Sequence, residues 1–219
     1  FKRAIEVGAD YIESDIQVTK DGVAVLFHDD DLLRVSDRSE AIYHLSLDEV
    51  REIKLRNGGQ IPTLAEALEA LPGARFNLDF KSVPSILTAA KDIAAHGAQA
   101  RVMVASFSDS RGDAAAARLP GVARSAGILR TLRTRLAYSA KAGFLMGMAL
   151  NGVDALQLPV SQGRLRLDNP RFIRKVQKYG TEVHFWTIND ADEMLRLVAA
   201  GANGIVTDRA DIAVELFNK

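Results

Sequence analysis

Glu13 and Asp15 lie two residues apart in the run Tyr11-Ile12-Glu13-Ser14-Asp15-Ile16-Gln17-Val18. In a strand alternate side chains share a face, so the two carboxylates point the same way as Tyr11, while Ile12, Ser14, Ile16 and Val18 take the other face. The apolar face marks the strand as buried, and buried carboxylates are costly unless paired, hydrogen-bonded or bound to a cation. The run Phe76-Asn77-Leu78-Asp79-Phe80-Lys81 repeats the pattern, with Asn77, Asp79 and Lys81 opposite the three apolar residues. Glu13, Asp15 and Asp79 are hard oxygen donors, which suit Mg²⁺ or Ca²⁺ better than zinc, and no histidine or cysteine cluster competes for a softer metal. Lys81 is the cation that would hold an anionic substrate. Asp21-Gly22 turns the chain into a second short strand, Val23 to Phe27, which ends on His28, the side chain best suited to proton transfer near neutral pH. The same residues also allow a plain buried salt bridge of Lys81 with Asp79 or Glu13.

The elements that must position these groups follow from periodicity and punctuation. Further strands are expected at 74–81, 101–107, 123–128, 155–159, 182–188 and 204–208, and helical patterns at 85–96, 109–119, 129–150 (broken near Gly143), 170–179 and 191–200. Capping-box spacing at Ser46/Glu49 and Thr63/Glu66 starts two earlier helices, and Asn169-Pro170 starts another with a cap residue and a first-turn proline. Gly97, Gly180 and Gly201 stand just past helix ends. Strands alternating with helices argue for parallel β-α units, and about seven of them in one chain argue for a barrel more than an open sheet. In such a barrel functional side chains sit at the carboxyl ends of strands, where Asp15, Asp79 and Lys81 fall. The expected domain is a single barrel over 1–219, with 30–60 as a polar excursion on its rim. The chain begins on Phe1 within a helix-like pattern, so the missing first strand is expected upstream.

Composition narrows the classes further. With 28 basic and 28 acidic residues the chain has no general pull toward nucleic acid, and it contains no cysteine for a thiolate site or nucleophile. No apolar run approaches the roughly 20 residues of a spanning helix, so no stable membrane insertion is expected. The location expected is cytoplasmic, unless a signal peptide is lost with the upstream segment. Trp186 shares a strand face with His184 and is a candidate apolar wall for a substrate group, with core packing as the alternative. His44, His96 and His184 read as solvated or structural. The arginine-rich run 129–136 reads as a solvated helix face, with a membrane or phosphate contact as the alternative.

The segment Gly8-Ala9-Asp10-Tyr11-Ile12-Glu13-Ser14-Asp15, then Thr19-Lys20-Asp21-Gly22, His28-Asp29 and Ile61-Pro62-Thr63-Leu64, closely resembles the glycerophosphodiester phosphodiesterases. The resemblance continues through Asn77-Leu78-Asp79-Phe80-Lys81, Ser106-Phe107, Trp186-Thr187-Ile188-Asn189 and Gly204-Ile205-Val206-Thr207-Asp208-Arg209, and so spans essentially the whole chain. It implies a metal-dependent TIM-like (β/α)₈ barrel that hydrolyses glycerophosphodiesters to glycerol 3-phosphate and an alcohol. By this resemblance Glu13, Asp15 and Asp79 match the metal ligands, His28 one of two acid–base histidines, and Lys81 a phosphate-contacting lysine. The third ligand of the family is usually Glu rather than Asp, and its His-Arg-Gly motif on the first strand has no counterpart here. The expected partner is a small phosphodiester, and a homo-oligomer is allowed. Two alternatives stand beside this reading: a non-catalytic barrel that binds a phosphate-bearing ligand or serves as a scaffold, and a lysophospholipid-cleaving enzyme of the same superfamily.

Overall fold

The computed structural model describes residues 1–163 and 165–217. A short helix, α1 (Lys2–Glu6), leads through Gly8 into β1 (Tyr11–Val18). The turn at 19–22 is built by Thr19, whose hydroxyl accepts the Val23 N–H at 2.9 Å, and by Gly22, whose φ of 84° lies in the left-handed region that glycine tolerates. It returns the chain as β2 (Ala24–Leu26), antiparallel to β1 with Ile16 opposite Leu26 and Val18 opposite Ala24.

The segment expected as a rim excursion carries α2 (Leu47–Arg51), and α3 (Leu64–Ala70) follows it. Ser46 and Thr63 cap these helices, each in a complete capping box with Glu49 or Glu66. It is not merely polar: Leu32, Ile42, Leu45, Val50 and Ile53 form an apolar cluster with Val25 and Phe27. Next come β3 (Arg75–Phe80), α4 (Val83–Ala95), β4 (Val102–Ala105), α5 (Asp109–Ala116) and β5 (Ala123–Arg124). β3 and β4 pair in parallel, Asp79 opposite Ala105, in a sheet of order β2-β1-β3-β4-β5.

The rest of the chain gives α6 (Ile128–Ser139), α7 (Gly143–Leu150), β6 (Ala155–Pro159), the hairpin strands β7 (Ser161–Gln162) and β8 (Leu165–Arg166), α8 (Pro170–Gln177), β9 (Glu182–Trp186), α9 (Ala191–Ala199), β10 (Gly204–Ile205) and α10 (Ala210–Phe217). β6, β9 and β10 make a parallel sheet with β9 at its centre. A Cβ at Gly204 would lie 2.9 Å from the His184 ring, so only glycine fits beside that histidine. Phe172, Ile173, Val176, Val183, Phe185, Met194 and Leu197 form the core under this sheet.

The chain is therefore α/β, with parallel pairing in both larger sheets, and among the described residues its strands form a five-stranded, a three-stranded and a two-stranded sheet. Its internal contacts gather in two compact units, one of Glu13–Ser106 with Ser110–Ala123, the other of Phe1–Ile12, Phe107–Asp109 and the chain from Arg124 onward. Two expectations shift and one holds. The strand expected at 123–128 is only two residues long, because Gly127 is drawn into the start of α6: its N–H donates to Asp109 Oδ1 at 2.9 Å, and a Cβ there would meet the Asp109 backbone at 2.6 Å. The 129–150 pattern is broken next to Gly143 as expected, giving two helices with Lys141 between them in the left-handed conformation (φ 56°). The terminal helix α10 and the hairpin β7/β8 were not expected.

Candidate active site

The first unit brings five of the expected residues to one place. Asp15 is 3% exposed and Asp79 9% exposed, and the Lys81 ammonium lies 3.1 Å from Asp15 Oδ1 and 3.5 Å from Asp79 Oδ2. Backbone pairing explains how His28 joins them. The Phe27 N–H donates to the Asp15 carbonyl at 3.0 Å, extending the β1–β2 ladder by one step, and the Gln17 amide donates to the Asp29 carbonyl at 2.7 Å. His28 Nε2 consequently stands 3.8 Å from Asp15 Oδ2. The end of β3 is fixed as well: Arg111 donates to the carbonyls of Phe80 and Lys81, at 2.8 and 2.5 Å, and Ser106 donates to Phe80 at 3.0 Å.

The charge of the cluster is lopsided. Glu13 keeps a solvent-facing surface, yet the protein beneath desolvates its carboxyl, and the negative charges of Asp15 and Asp79 add to that. Its pKa is pushed up to about 7, against the weaker opposing pull of His28 and Lys81. Burial likewise raises Asp79, with Lys81 working against the shift and Asp15 adding to it. Desolvation disfavours the Lys81 ammonium, but the hydrogen bond and charge of Asp15, with those of Asp79, outweigh it and raise its pKa. One lysine thus faces three carboxylates, a shortage of positive charge that a cation would relieve.

The donor set suits a hard divalent ion, being all oxygen. Asp79 Oδ1 and Asn77 Oδ1 are buried without a hydrogen-bond partner, an arrangement that costs free energy until something positive or donating reaches them. Among the described residues no group of three or more histidine, aspartate or glutamate side chains is placed to hold a metal ion. The countercharge between Asp15 and Asp79 is Lys81 itself.

Two contributors were not anticipated. Asp29 Oδ1 lies 2.7 Å from His28 Nδ1, and Arg34 grips Asp29 through Nε–Oδ2 at 2.6 Å and Nη2–Oδ1 at 3.1 Å. The Arg34 hydrogen bonds hold the Asp29 carboxyl below its usual range, so it meets His28 as a carboxylate. The adjacency of His28 and Asp29 was the available signal. Trp186 belongs to the other unit, where its ring meets Phe107 edge-on at 6.1 Å and 83°. His184 there is paired with Glu182 at 2.8 Å, as a structural histidine would be.

The sequence profile of the glycerophosphoryl diester phosphodiesterase family matches residues 1–212. The chain belongs to this family. It is a family of phosphoric diester hydrolases. A probable glycerophosphodiester phosphodiesterase 2 of Mycobacterium tuberculosis is 36% identical over 226 residues, covering 97% of this chain and 81% of that protein. The crystal structure of glycerophosphodiester phosphodiesterase from Agrobacterium tumefaciens shares the fold with a TM-score of 0.79 at 22% identity, over 100% of this chain and 91% of that one. A phosphodiesterase of Oleispira antarctica, solved in complex with the product sn-glycerol-3-phosphate, aligns with a TM-score of 0.79 at 23% identity, over 98% and 87% of the two chains. In this glycerophosphoryl diester phosphodiesterase family member, Glu13, Asp15, His28, Asp79 and Lys81, among the residues that carry the resemblance, lie together at β1, just past the end of β2 and at the end of β3. The Trp-Thr-Ile-Asn and Thr-Asp motifs also meet, since the Asn189 side-chain oxygen accepts from the Thr207 hydroxyl and the Asp208 N–H, both at 2.9 Å.

Proposed function

We propose that this chain hydrolyses glycerophosphodiesters to glycerol 3-phosphate and an alcohol, using a divalent cation, Mg²⁺ or Ca²⁺, and histidine proton transfer. The observation that carries this reading is the convergence of Glu13, Asp15, Asp79, Lys81 and His28 in a chain of this family. Glu13, Asp15 and Asp79 would hold the cation, which when bound neutralises charge building on the phosphoryl oxygens. Lys81 supplies a second positive contact to the phosphate. His28 carries the proton, and Asp29 sets how it does so: with Nδ1 engaged by the carboxylate, the other ring nitrogen, Nε2, is left to exchange a proton on the side facing Asp15. Arg34, locked on both oxygens of Asp29, keeps that carboxylate from turning away. A positioned acid or base of this kind contributes typically about 10²–10⁴-fold in rate.

The test uses the natural protein. Release of sn-glycerol 3-phosphate from glycerophosphocholine is measured with Mg²⁺, with Ca²⁺ and with a chelator. Activity should disappear with the chelator and in His28→Ala. Turnover that survives both would overturn the reading.

A further inference from the structure

Helix α6 is inside out. A helix at a protein surface normally turns its apolar stripe inward, but here Ile128, Leu129, Leu132 and Leu136 occupy the solvent face, and Leu136 is 59% exposed. The face turned inward carries Thr134 and Ala137. Helix α7 continues the surface with Phe144, 80% exposed, Leu145 and Met148. Isolated exposed leucines need no account, but a run of seven large apolar side chains on two successive helices does.

Charge says what covers this surface. Residues 128–150 contain four basic residues and no acidic one, and residues 170–179, which include α8, again contain four and none, in a chain whose totals balance at 28 each. The two segments adjoin. The Tyr138 and Phe172 rings meet edge-on at 5.1 Å, and the Tyr179 hydroxyl donates to the Gly143 carbonyl at 2.8 Å. Lys141 and Lys175 line one cavity of about 190 Å³ between them, with Tyr138 and Met146. Arg130 is engaged by Asp109 and Arg135 lies over the Tyr138 and Phe172 rings, whereas Arg133 and Lys141 are exposed beside the leucines and Phe144.

An apolar helix face bordered by cations, with aromatic and leucine side chains standing outward, has the composition of an interfacial helix. A second copy of the chain fits it badly, because a two-fold contact through α6 and α7 would bring the same cations face to face. We propose that the α6–α7 hairpin docks on the surface of an anionic phospholipid bilayer. The leucines and Phe144 enter the headgroup boundary, while Arg133, Lys141 and Lys175 meet lipid phosphates. No helix among the described residues is long and apolar enough to cross a membrane, and the part of the attachment made by cations on lipid phosphates weakens as salt rises.

Co-sedimentation of the full chain with vesicles tests this without reference to catalysis. Vesicles of phosphatidylcholine mixed with phosphatidylglycerol should retain the protein at low salt, and pure phosphatidylcholine vesicles should retain it poorly. Leu136→Ser combined with Phe144→Ser should weaken partitioning at least about tenfold with an unchanged melting temperature, since both side chains are exposed. Arg133→Glu should weaken it about fivefold or more on the mixed vesicles only. The proposal is overturned if the mixed vesicles do not retain the protein, or if the variants partition like the parent. It is equally overturned if the protein forms a concentration-dependent dimer that Leu136→Ser with Phe144→Ser dissolves and that vesicles do not displace.

Discussion

Two buried aspartates, one in each unit, receive opposite treatment. Asp168 is chelated by Arg166 through both oxygens, at 3.0 and 2.5 Å, and by Arg196 at 2.6 Å, and the Arg166 hydrogen bonds lead in lowering its pKa to about 2. Asp79 shares a single lysine with Asp15, leaves one oxygen without a partner, and is raised by burial. On the proposed reading, a carboxylate that serves stability is saturated with donors, whereas one that meets a ligand is left short of them. Perturbation in the unfavourable direction, beside a histidine and in a cluster of like charges, is found at the proposed site of the first unit and not at the second's ion pairs.

The sharpest way to break that contrast is to remove His28. Its side chain is 73% exposed and carries no packing load, so His28→Ala should leave the melting temperature unchanged while lowering kcat about 10²–10⁴-fold. A loss of stability in step with activity would mean that the cluster is structural, like that of Asp168.

A crossed pair of substitutions comes next. Asp79→Asn should cost about 10²-fold or more in kcat, yet leave stability equal or slightly higher in metal-free buffer, because it removes a charge that burial penalises. Asp168→Asn should do the reverse. Its side chain is 5% exposed, and a shift from 3.8 to about 2 corresponds to about 2 kcal/mol of stability. The melting temperature should fall by about 4–8 °C with kcat within about twofold of the parent. Thermal melts and initial rates on the same preparations decide the matter, and equal effects on both readouts would dissolve the distinction.

The parts of this contrast that were legible in the sequence are the periodic ones. Alternation placed Glu13, Asp15, Asp79 and Lys81 on strand faces, and the capping boxes at Ser46 and Thr63 are present as expected. β6 covers 155–159 as its pattern indicated. Asp29 and Arg34 stayed hidden because they are five residues apart in irregular backbone, where no period relates them, and a polar run reads as solvated. Arg111 stayed hidden because its partners are carbonyls, which sequence does not distinguish. For α6 the leucine spacing announced a helix but not its orientation: the solvated face proved to be the leucine face rather than a charged one. The saturation of Asp168 depends on Arg196, 28 positions away, and could only be seen once α9 was in place.

The smallest effect expected is a pair of opposite pH slopes. Asp168, depressed in the folded state, contributes stability that is present above pH 3.8 and is lost as pH falls toward about 2. Glu13 has the contrary sign. Its folded pKa of about 7 lies above the ordinary 4.5, so the folded protein holds that proton more tightly. The associated stability is complete below pH 4.5 and is lost as pH rises through about 7. Because Glu13 faces water, screening reduces the effect, and a fall of only about 1–3 °C in melting temperature between pH 5 and 8 is expected in chelator. Glu13→Gln should flatten that slope, and so should millimolar Mg²⁺ or Ca²⁺ with the parent chain, since a cation favours the carboxylate. A slope that Glu13→Gln removes but neither ion touches would leave Glu13 in the cluster and take it out of the ligand set.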